Sequence, residues 1–295
     1  MISNNKPTDE PEIQVANYCV SFIDLLGQRD ALCGQGLLPS VESESEKQKW
    51  MATLRASVGS IVRLQTQAAD LMRASRPNPN SVLRASLTPE QKIQFDEMML
   101  TKVMTQRWSD GLVSFVCLGD EAVKCHVNSI YELFGHAGAL CLIGLCNRRP
   151  LRGAIEIAWG VELHPGELYG AAVARAYELE SECAQYPRIV IGEEVVKFLK
   201  SHSQNTAPDP YSIVDREMAQ LCLSMILKDE DGCNLLHYLG EGFRFAITNN
   251  NHEYMYEAAK KFVREALAGF REMGNEKLTL RYERLHSYFD RHPAS

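Results

Sequence analysis

Tyr18-Cys19-Val20-Ser21-Phe22-Ile23-Asp24, running into Leu25-Leu26-Gly27, is the stretch on which the fold turns. A run of aromatic, β-branched and small residues closed by a carboxylate and a glycine describes a strand buried on both faces that ends at a polar edge. Downstream, 102–107 and 112–118 read as two strands joined at Ser109-Asp110-Gly111, because Asp-Gly is a favoured tight-turn pair. Residues 150–161 and 167–169 read as a second hairpin with His164-Pro165-Gly166 at its tip, and 187–191 as one more strand. Trp50, Met51, Leu54, Val58, Ile61, Val62 and Leu64 recur at helical spacing and predict one long helix over 42–73. Residues 75–81, with two prolines and two asparagines, are a predicted loop, and Thr88-Pro89-Glu90-Gln91 opens a short capped helix. Helices are also predicted over 120–147, 171–185 and 192–202, two further strands within 212–239, and two amphipathic helices at about 252–272 and 275–290. This alternation, with hairpins at two places, predicts a mixed α/β sandwich rather than an all-parallel doubly wound sheet.

The chain has 295 residues, 45% of them hydrophobic and 23% charged, enough for a single large core that buries about 75% of the unfolded surface. A peptide, a disordered scaffold and a disulfide-stapled miniprotein are excluded. Thirty-one basic against 38 acidic residues leave a net charge of −7, so there is no global positive field to collect nucleic acid or an anionic membrane. A local basic pocket, one that holds a triphosphate for example, is still allowed. The nine cysteines form no C-x-x-C pair and sit mostly in apolar runs, as reduced thiols of a cytoplasmic protein would, and predict no zinc site. Residues 1–15 are polar, carry Pro7 and Pro11, and read as a flexible leader without a signal peptide's apolar stretch. The apolar run Ala137 to Cys146 is about half of the ~20 residues a membrane span requires.

Asp24 ends a buried strand and Asp110 sits in a hairpin turn. Converging from adjacent strands, two such carboxylates would hold one or two hard divalent ions, Mg²⁺ or Mn²⁺, through oxygen. Taken singly, each is an ordinary cap or turn residue. Leu25-Leu26-Gly27-Gln28 offers successive backbone N–H groups that can cradle phosphate, although the chain carries no G-x-x-x-x-G-K-[ST]. Arg152 and Arg107 are the basic groups aimed at the same place, arginine being suited to a bidentate grip on phosphate. Other candidates are set aside. Cys125-His126 and His136 lack a partner at triad spacing, Asp229-Glu230-Asp231-Gly232 opens like a calcium loop but meets Glu241 one position late, and Glu178 and Glu180 read as solvated helix charges. The stripe Tyr256, Ala259, Phe262, Val263, Ala266, Phe270 reads as packing on the chain's own sheet in preference to a partner-binding module.

Taken in order, these pieces resemble the class III nucleotidyl (adenylate/guanylate) cyclases. Phe22-Ile23-Asp24-Leu25-Leu26-Gly27 is similar to their first metal motif and Trp108-Ser109-Asp110-Gly111-Leu112-Val113 to their second. Arg152-Gly153-Ala154-Ile155, Gly166-Glu167-Leu168-Tyr169-Gly170, Ala176-Tyr177-Glu178-Leu179-Glu180 and Pro187-Arg188-Ile189-Val190-Ile191 follow the rest of that core, so that the likeness runs from about 18 to 200. It implies a ferredoxin-type mixed sheet flanked by helices. The catalytic domain would cover 16–250, with a helical insert at about 30–100 and a C-terminal helical extension at 251–295. Three departures stand out: the long insert, Gln106 where the family selects its purine with Lys or Glu, and Ala174 and Glu178 near the places of the family's helix Asn and Arg. Arg107 and Arg175 are the candidates to replace the missing pair. A retained metal pair with a rebuilt base site most resembles the pyrimidine cyclases of the Pycsar anti-phage systems. The resemblance implies a homodimer with sites at its interface, two divalent metal ions on Asp24, Asp110 and the Leu25 carbonyl, and UTP or CTP as substrate, UTP favoured. It implies Leu26, Gly27, Gln28, Gln106 and Arg175 around the nucleotide, Arg107 and Arg152 in catalysis, and a separate effector that reads the cyclic nucleotide. An ordinary purine cyclase and a catalytically inactive nucleotide-binding relative are the alternatives.

Overall fold

In β1 (Val15–Leu25), successive side chains alternate between two cores. Cys19, Ile23 and Leu25 enter the larger one, while Tyr18, Val20 and Phe22 enter the smaller. A strand that feeds both cores cannot show a polar face, which is why its sequence is a continuous apolar run. The computed structural model describes residues 15–27, 41–74, 82–246 and 252–293. The leader, Gln28, the start of the insert and the predicted loop at 75–81 lie outside the described residues.

After β1 come the helices α1 (Glu44–Ala56), α2 (Val58–Ala74), α3 (Val82–Ala85) and α4 (Pro89–Met98), then the hairpin β2 (Met104–Trp108) and β3 (Gly111–Cys117). The core helix α5 (His126–Cys146) leads into β4 (Leu151–His164), β5 (Glu167–Tyr169), α6 (Ala171–Cys183), β6 (Ile189–Ile191) and α7 (Glu193–Ser203). The chain continues with α8 (Pro210–Ser224), β7 (Ile226–Lys228), β8 (Asn234–Leu236), α9 (Glu241–Ala246), α10 (His252–Glu272) and α11 (Glu276–Arg291). The sheet is eight-stranded, in the order β2-β3-β1-β4-β6-β8-β7, with β5 paired to β4. β1 is antiparallel to both β3 and β4, and β4 with β6 is the parallel pair. Two crossovers, β1 to β2 and β3 to β4, thus interleave around the central β1. This is a ferredoxin-type mixed α/β sheet flanked by helices.

The larger core is centred on α5, against which α2, α8 and α10 pack. By length and composition α5 is apolar enough to cross a membrane, but 72% of its most apolar window is buried inside the protein, as befits a core helix. On the opposite face α6 covers β1 and β4 with Ala172, Val173 and Ala176. The C-terminal stripe packs against α5 and α11 rather than on the sheet: Tyr256, Ala259 and Val263 are buried in the larger core, and the Tyr256 hydroxyl donates to the Phe289 carbonyl at 2.7 Å.

The structure corrects the sequence reading in two places and adds one helix to it. The long helix over 42–73 breaks at Ser57, whose hydroxyl donates to the Thr53 carbonyl at 2.8 Å and competes with the helix ladder. The helix expected from 120 begins at His126. The two strands expected within 212–239 are β7 and β8, on either side of the Asp229–Gly232 turn, but residues 210–224 before them form the helix α8, where Asp209 caps the Ser212 N–H at 3.0 Å and Pro210 takes the first turn. The β2–β3 turn falls at Ser109-Asp110-Gly111 as expected, with Ser109 and Asp110 at its centre and Ser109 in the left-handed region at φ 53°. The capping box at Thr88 and Gln91 is present as expected, with both reciprocal bonds made.

Candidate active site

Asp24 stands at the end of β1, opposite Gly111 of β3 on one side and Arg152 of β4 on the other, and Gly111 in turn faces Trp108 of β2. Residues directly opposed in a sheet project from the same face. Trp108, Asp24 and Arg152 are therefore one row on the α6 face. A Cβ at Gly111 would lie 3.2 Å from the carbonyl oxygens of both Ile23 and Trp108, so a larger residue would push these strands a few tenths of an ångström apart. Asp110, in the turn just before Gly111, is thereby brought beside Asp24.

The two carboxylates feel one another. Asp24 is pushed from the ordinary aspartate value of 3.8 up to about 6, chiefly by burial and then by the negative charge of Asp110, against the pull of Arg152 and of the Leu25 N–H. Arg152 Nη2 lies 3.7 Å from Asp24 Oδ2, and its Nε makes an ion pair with Glu180 Oε1. Glu180 is 1% exposed, on the inner face of α6 below Ala172, Val173 and Ala176. Burial drives it from 4.5 up to about 7; Arg152 opposes the shift, and Asp24 and Asp110 add to it. The expectation that Glu180 is a solvated charge is overturned. The signal was present in the four-residue spacing Ala172, Ala176, Glu180, which places the carboxylate on the buried stripe.

Phe22, Trp108 and Tyr177 form an aromatic wall beside this cluster, with ring centroids 5.4 to 6.5 Å apart. Phe22 is buried, while Trp108 and Tyr177 leave about half of their surface open, at 48% and 53%.

The remaining sequence candidates are spread more widely. Arg107 shares its row with Leu112 and Ile23, which belong to the larger core, so it projects from the face opposite Asp24 and is exposed. Gln106 is in the row of Val113 and Phe22 on the α6 face, where its side-chain oxygen accepts the Leu168 N–H at 3.1 Å. Arg175 is exposed on α6, and its charge acts on Glu156 and Glu194. The Leu25 side chain is in the larger core, and its N–H is held by the Asp24 carboxylate. The Leu26 N–H, expected to be offered to phosphate, donates to the Pro150 carbonyl at 3.1 Å. Gly27 follows in the left-handed region at φ 85°. Gln28 lies outside the described residues.

What remains on one spot is Asp24, Asp110, Arg152 and Glu180. Two mutually repelling carboxylates of hard oxygen, one of them only loosely paired, fit a hard divalent cation, which would remove the repulsion. Among the described residues no group of three or more His, Cys, Asp and Glu side chains is arranged to enclose a metal by itself. Such a cation would therefore be completed by backbone, water or substrate oxygen, the usual habit of Mg²⁺.

No protein-family model matches the chain, and no curated protein matches it. Among solved structures it is similar to the non-canonical dimeric guanylyl cyclase domain of the RhoGC fusion protein from the aquatic fungus Blastocladiella emersonii, at 13% identity and a TM-score of 0.40 over 64% of this chain and 87% of that one. It is also similar to the catalytic core of a rhodopsin-guanylyl cyclase with converted specificity in complex with ATPalphaS, at 12% identity and a TM-score of 0.39 over 76% and 95%. Likeness at this level is a likeness of fold and says nothing of activity.

Proposed function

We propose that the chain is a nucleotidyl cyclase that converts a pyrimidine nucleoside triphosphate, UTP in preference to CTP, to the 3′,5′-cyclic monophosphate and pyrophosphate. The observation that carries this reading is the convergence of Asp24 and Asp110 on one sheet edge with Arg152 between Asp24 and the buried Glu180. The order of motifs along the chain supports it independently.

In the reaction the ribose 3′-oxygen forms a bond to the α-phosphorus, the bond from that phosphorus to the β-bridging oxygen breaks, and the hydroxyl proton passes to water. Asp24 and Asp110, with the Leu25 carbonyl, would hold two divalent ions, Mn²⁺ or Mg²⁺. When bound, these supply Lewis acidity to the 3′-hydroxyl and offset the charge of the triphosphate. Arg152 brings a fixed positive charge to the phosphates, and Glu180 keeps its guanidinium from collapsing fully onto Asp24. Positioning and charge neutralisation suffice for phosphoryl chemistry of this kind, and no covalent enzyme intermediate is needed. The exposed rings of Trp108 and Tyr177 offer a face on which a base can stack. Gln106, on the same sheet face, keeps its amide donors free to read a base edge while its oxygen holds Leu168. The same exposed rings suit coverage by a second copy, which supports the homodimer, and the product would act through a separate effector in anti-phage defence.

The test is incubation of the purified chain with each of ATP, GTP, UTP and CTP in Mn²⁺ or Mg²⁺, with products identified by mass spectrometry. Cyclic UMP or cyclic CMP is expected, and it should disappear in Asp24→Ala and Asp110→Ala. Preferential cyclisation of ATP or GTP would replace the pyrimidine reading by a purine one. Nucleotide binding without any cyclic product would leave an inactive relative, consistent with Ala174 and Glu178 at the expected helix positions.

A further inference from the structure

Between α6 and α11 lies a cleft of about 370 Å³ with three cations on its lining. Lys277, Arg281 and Arg284, spaced four and three residues apart, fall on one face of α11 and form one wall. The other wall carries Ser181, Gln185 and Tyr186, with Glu182 as the one carboxylate on the lining. The Tyr186 hydroxyl is committed to Asp229.

These cations are poorly neutralised. Arg284 has one long contact, 4.0 Å to Asp231, and that carboxylate already holds the buried Arg188 at 2.6 Å. Lys277 and Arg281 have no ion-pair partner among the described residues. Arg281 is half-buried, and burial together with the positive charge of Arg152 lowers its pKa. Arg152 is the guanidinium that touches Asp24 and Glu180. A run of positive charge therefore extends from the carboxylate cluster, through Arg152 and Arg281, into the cleft. In a chain of net charge −7, unpaired guanidinium groups brought near one another and partly out of water are costly unless an anion joins them.

We propose that the cleft between α6 and α11 is a binding site for a small polyphosphate anion, with inorganic pyrophosphate as its ligand. Three cations suit a compact anion of several negative charges, and guanidinium forks match phosphate oxygens. The choice of pyrophosphate rests on the cyclase reading, in which it is the leaving group; the existence of the anion site does not. Arg281 on the lining feels the charge of Arg152, which would hold the phosphates, so α11 would be part of the enzyme's product path.

The test is isothermal titration calorimetry of the full chain with sodium pyrophosphate, in EDTA and at constant ionic strength. Saturable binding is expected for the wild type and for Asp24→Asn/Asp110→Asn, and binding at least tenfold weaker for Lys277→Gln/Arg281→Gln. Orthophosphate should bind at least tenfold more weakly than pyrophosphate. Lys277→Glu, on an exposed position, is a second variant that leaves the half-buried arginine in place and should weaken binding in the same direction. Equal affinity in wild type and charge-loss variants, or no saturable binding by folded wild type, overturns the proposal. The two readings fail separately. Pyrophosphate binding with no cyclic product from any nucleotide would sink the cyclase reading alone, while cyclisation without the binding site would sink this inference alone.

Discussion

Asp24→Asn should make the metal-free protein more stable while abolishing its activity. Asp24 is raised from 3.8 to about 6 in the folded chain, and each pH unit is worth 1.36 kcal/mol, so charging it above that value costs about 3 kcal/mol more in the folded than in the unfolded state. The sign follows from proton binding: between about pH 4 and 6 the folded chain holds the proton and the unfolded chain does not, so stability falls as pH rises through that window and the loss is complete above it. Glu180, raised to about 7, carries the same slope slightly further. Asparagine keeps an oxygen to accept the Leu25 N–H and removes the charge that burial and Asp110 oppose. The expected gain is about 2–3 kcal/mol at pH 8 in EDTA, shrinking toward zero by pH 4. His237, lowered by burial to about 4, has the opposite slope, but it is common to both proteins and cancels in the difference. The assay is urea denaturation of both proteins at several pH values, without and with saturating Mn²⁺. Mn²⁺ should stabilise the wild type and leave the variant nearly unchanged. A variant no more stable than wild type at pH 8, with the same pH slope, would falsify the electrostatic account of this site.

Glu180→Ala should cost about 3–5 kcal/mol, since it removes the nearer carboxylate partner of the Arg152 guanidinium and leaves only Asp24 at 3.7 Å, whereas Glu180→Gln should cost less because the native carboxyl, raised to about 7, is already about half protonated at pH 7. Equal losses in the two variants, read by chemical denaturation, would argue that only side-chain volume matters there. Arg188→Met should cost a similar 3–5 kcal/mol, because Asp229 and Asp231 at 2.5 and 2.6 Å would lose their shared cation, and thermal melting should show it. Thr88→Ala, which removes the hydroxyl half of a capping box and leaves the backbone N–H of residue 88 on Gln91, should cost about 1 kcal/mol and speed amide exchange in the first turn of α4 without changing activity.

The three acidic groups and one arginine at the sheet edge are a tuned set rather than separate pairs. Arg152 is shared between two carboxylates, and Glu180 has the closer hold on it. Asp24 is thus left incompletely neutralised, with Asp110 beside it. A fully paired Asp24 would have no reason to recruit a cation, and an unpaired one would be protonated at neutral pH. The Glu180 contact is what keeps the site between these limits.

Features set by local chemistry were legible in the sequence. The two-sided burial of β1, the β2–β3 hairpin, the Thr88 cap and the pair of C-terminal helices need only the residues that form them. Features set by register were not. Arg107 is three residues before Asp110 and looked aimed at the same place, but which face it takes depends on Gly111 standing opposite Asp24, a pairing between distant strands. One residue of slip would move every side chain of β2 to the other face, and no local pattern fixes that step. The Leu26 N–H was misjudged for the same reason, since its partner is the Pro150 carbonyl at the start of another strand. Glu180 is a different case, its four-residue spacing readable but overridden by the general expectation that charged helix residues face water, and α8 carried a readable Asp209-Pro210 start. The spacing of Lys277, Arg281 and Arg284 could likewise be counted from sequence, but a basic stripe becomes a site only when a second wall stands opposite it. That wall is the end of α6, brought there by the sheet that lies between it and α5.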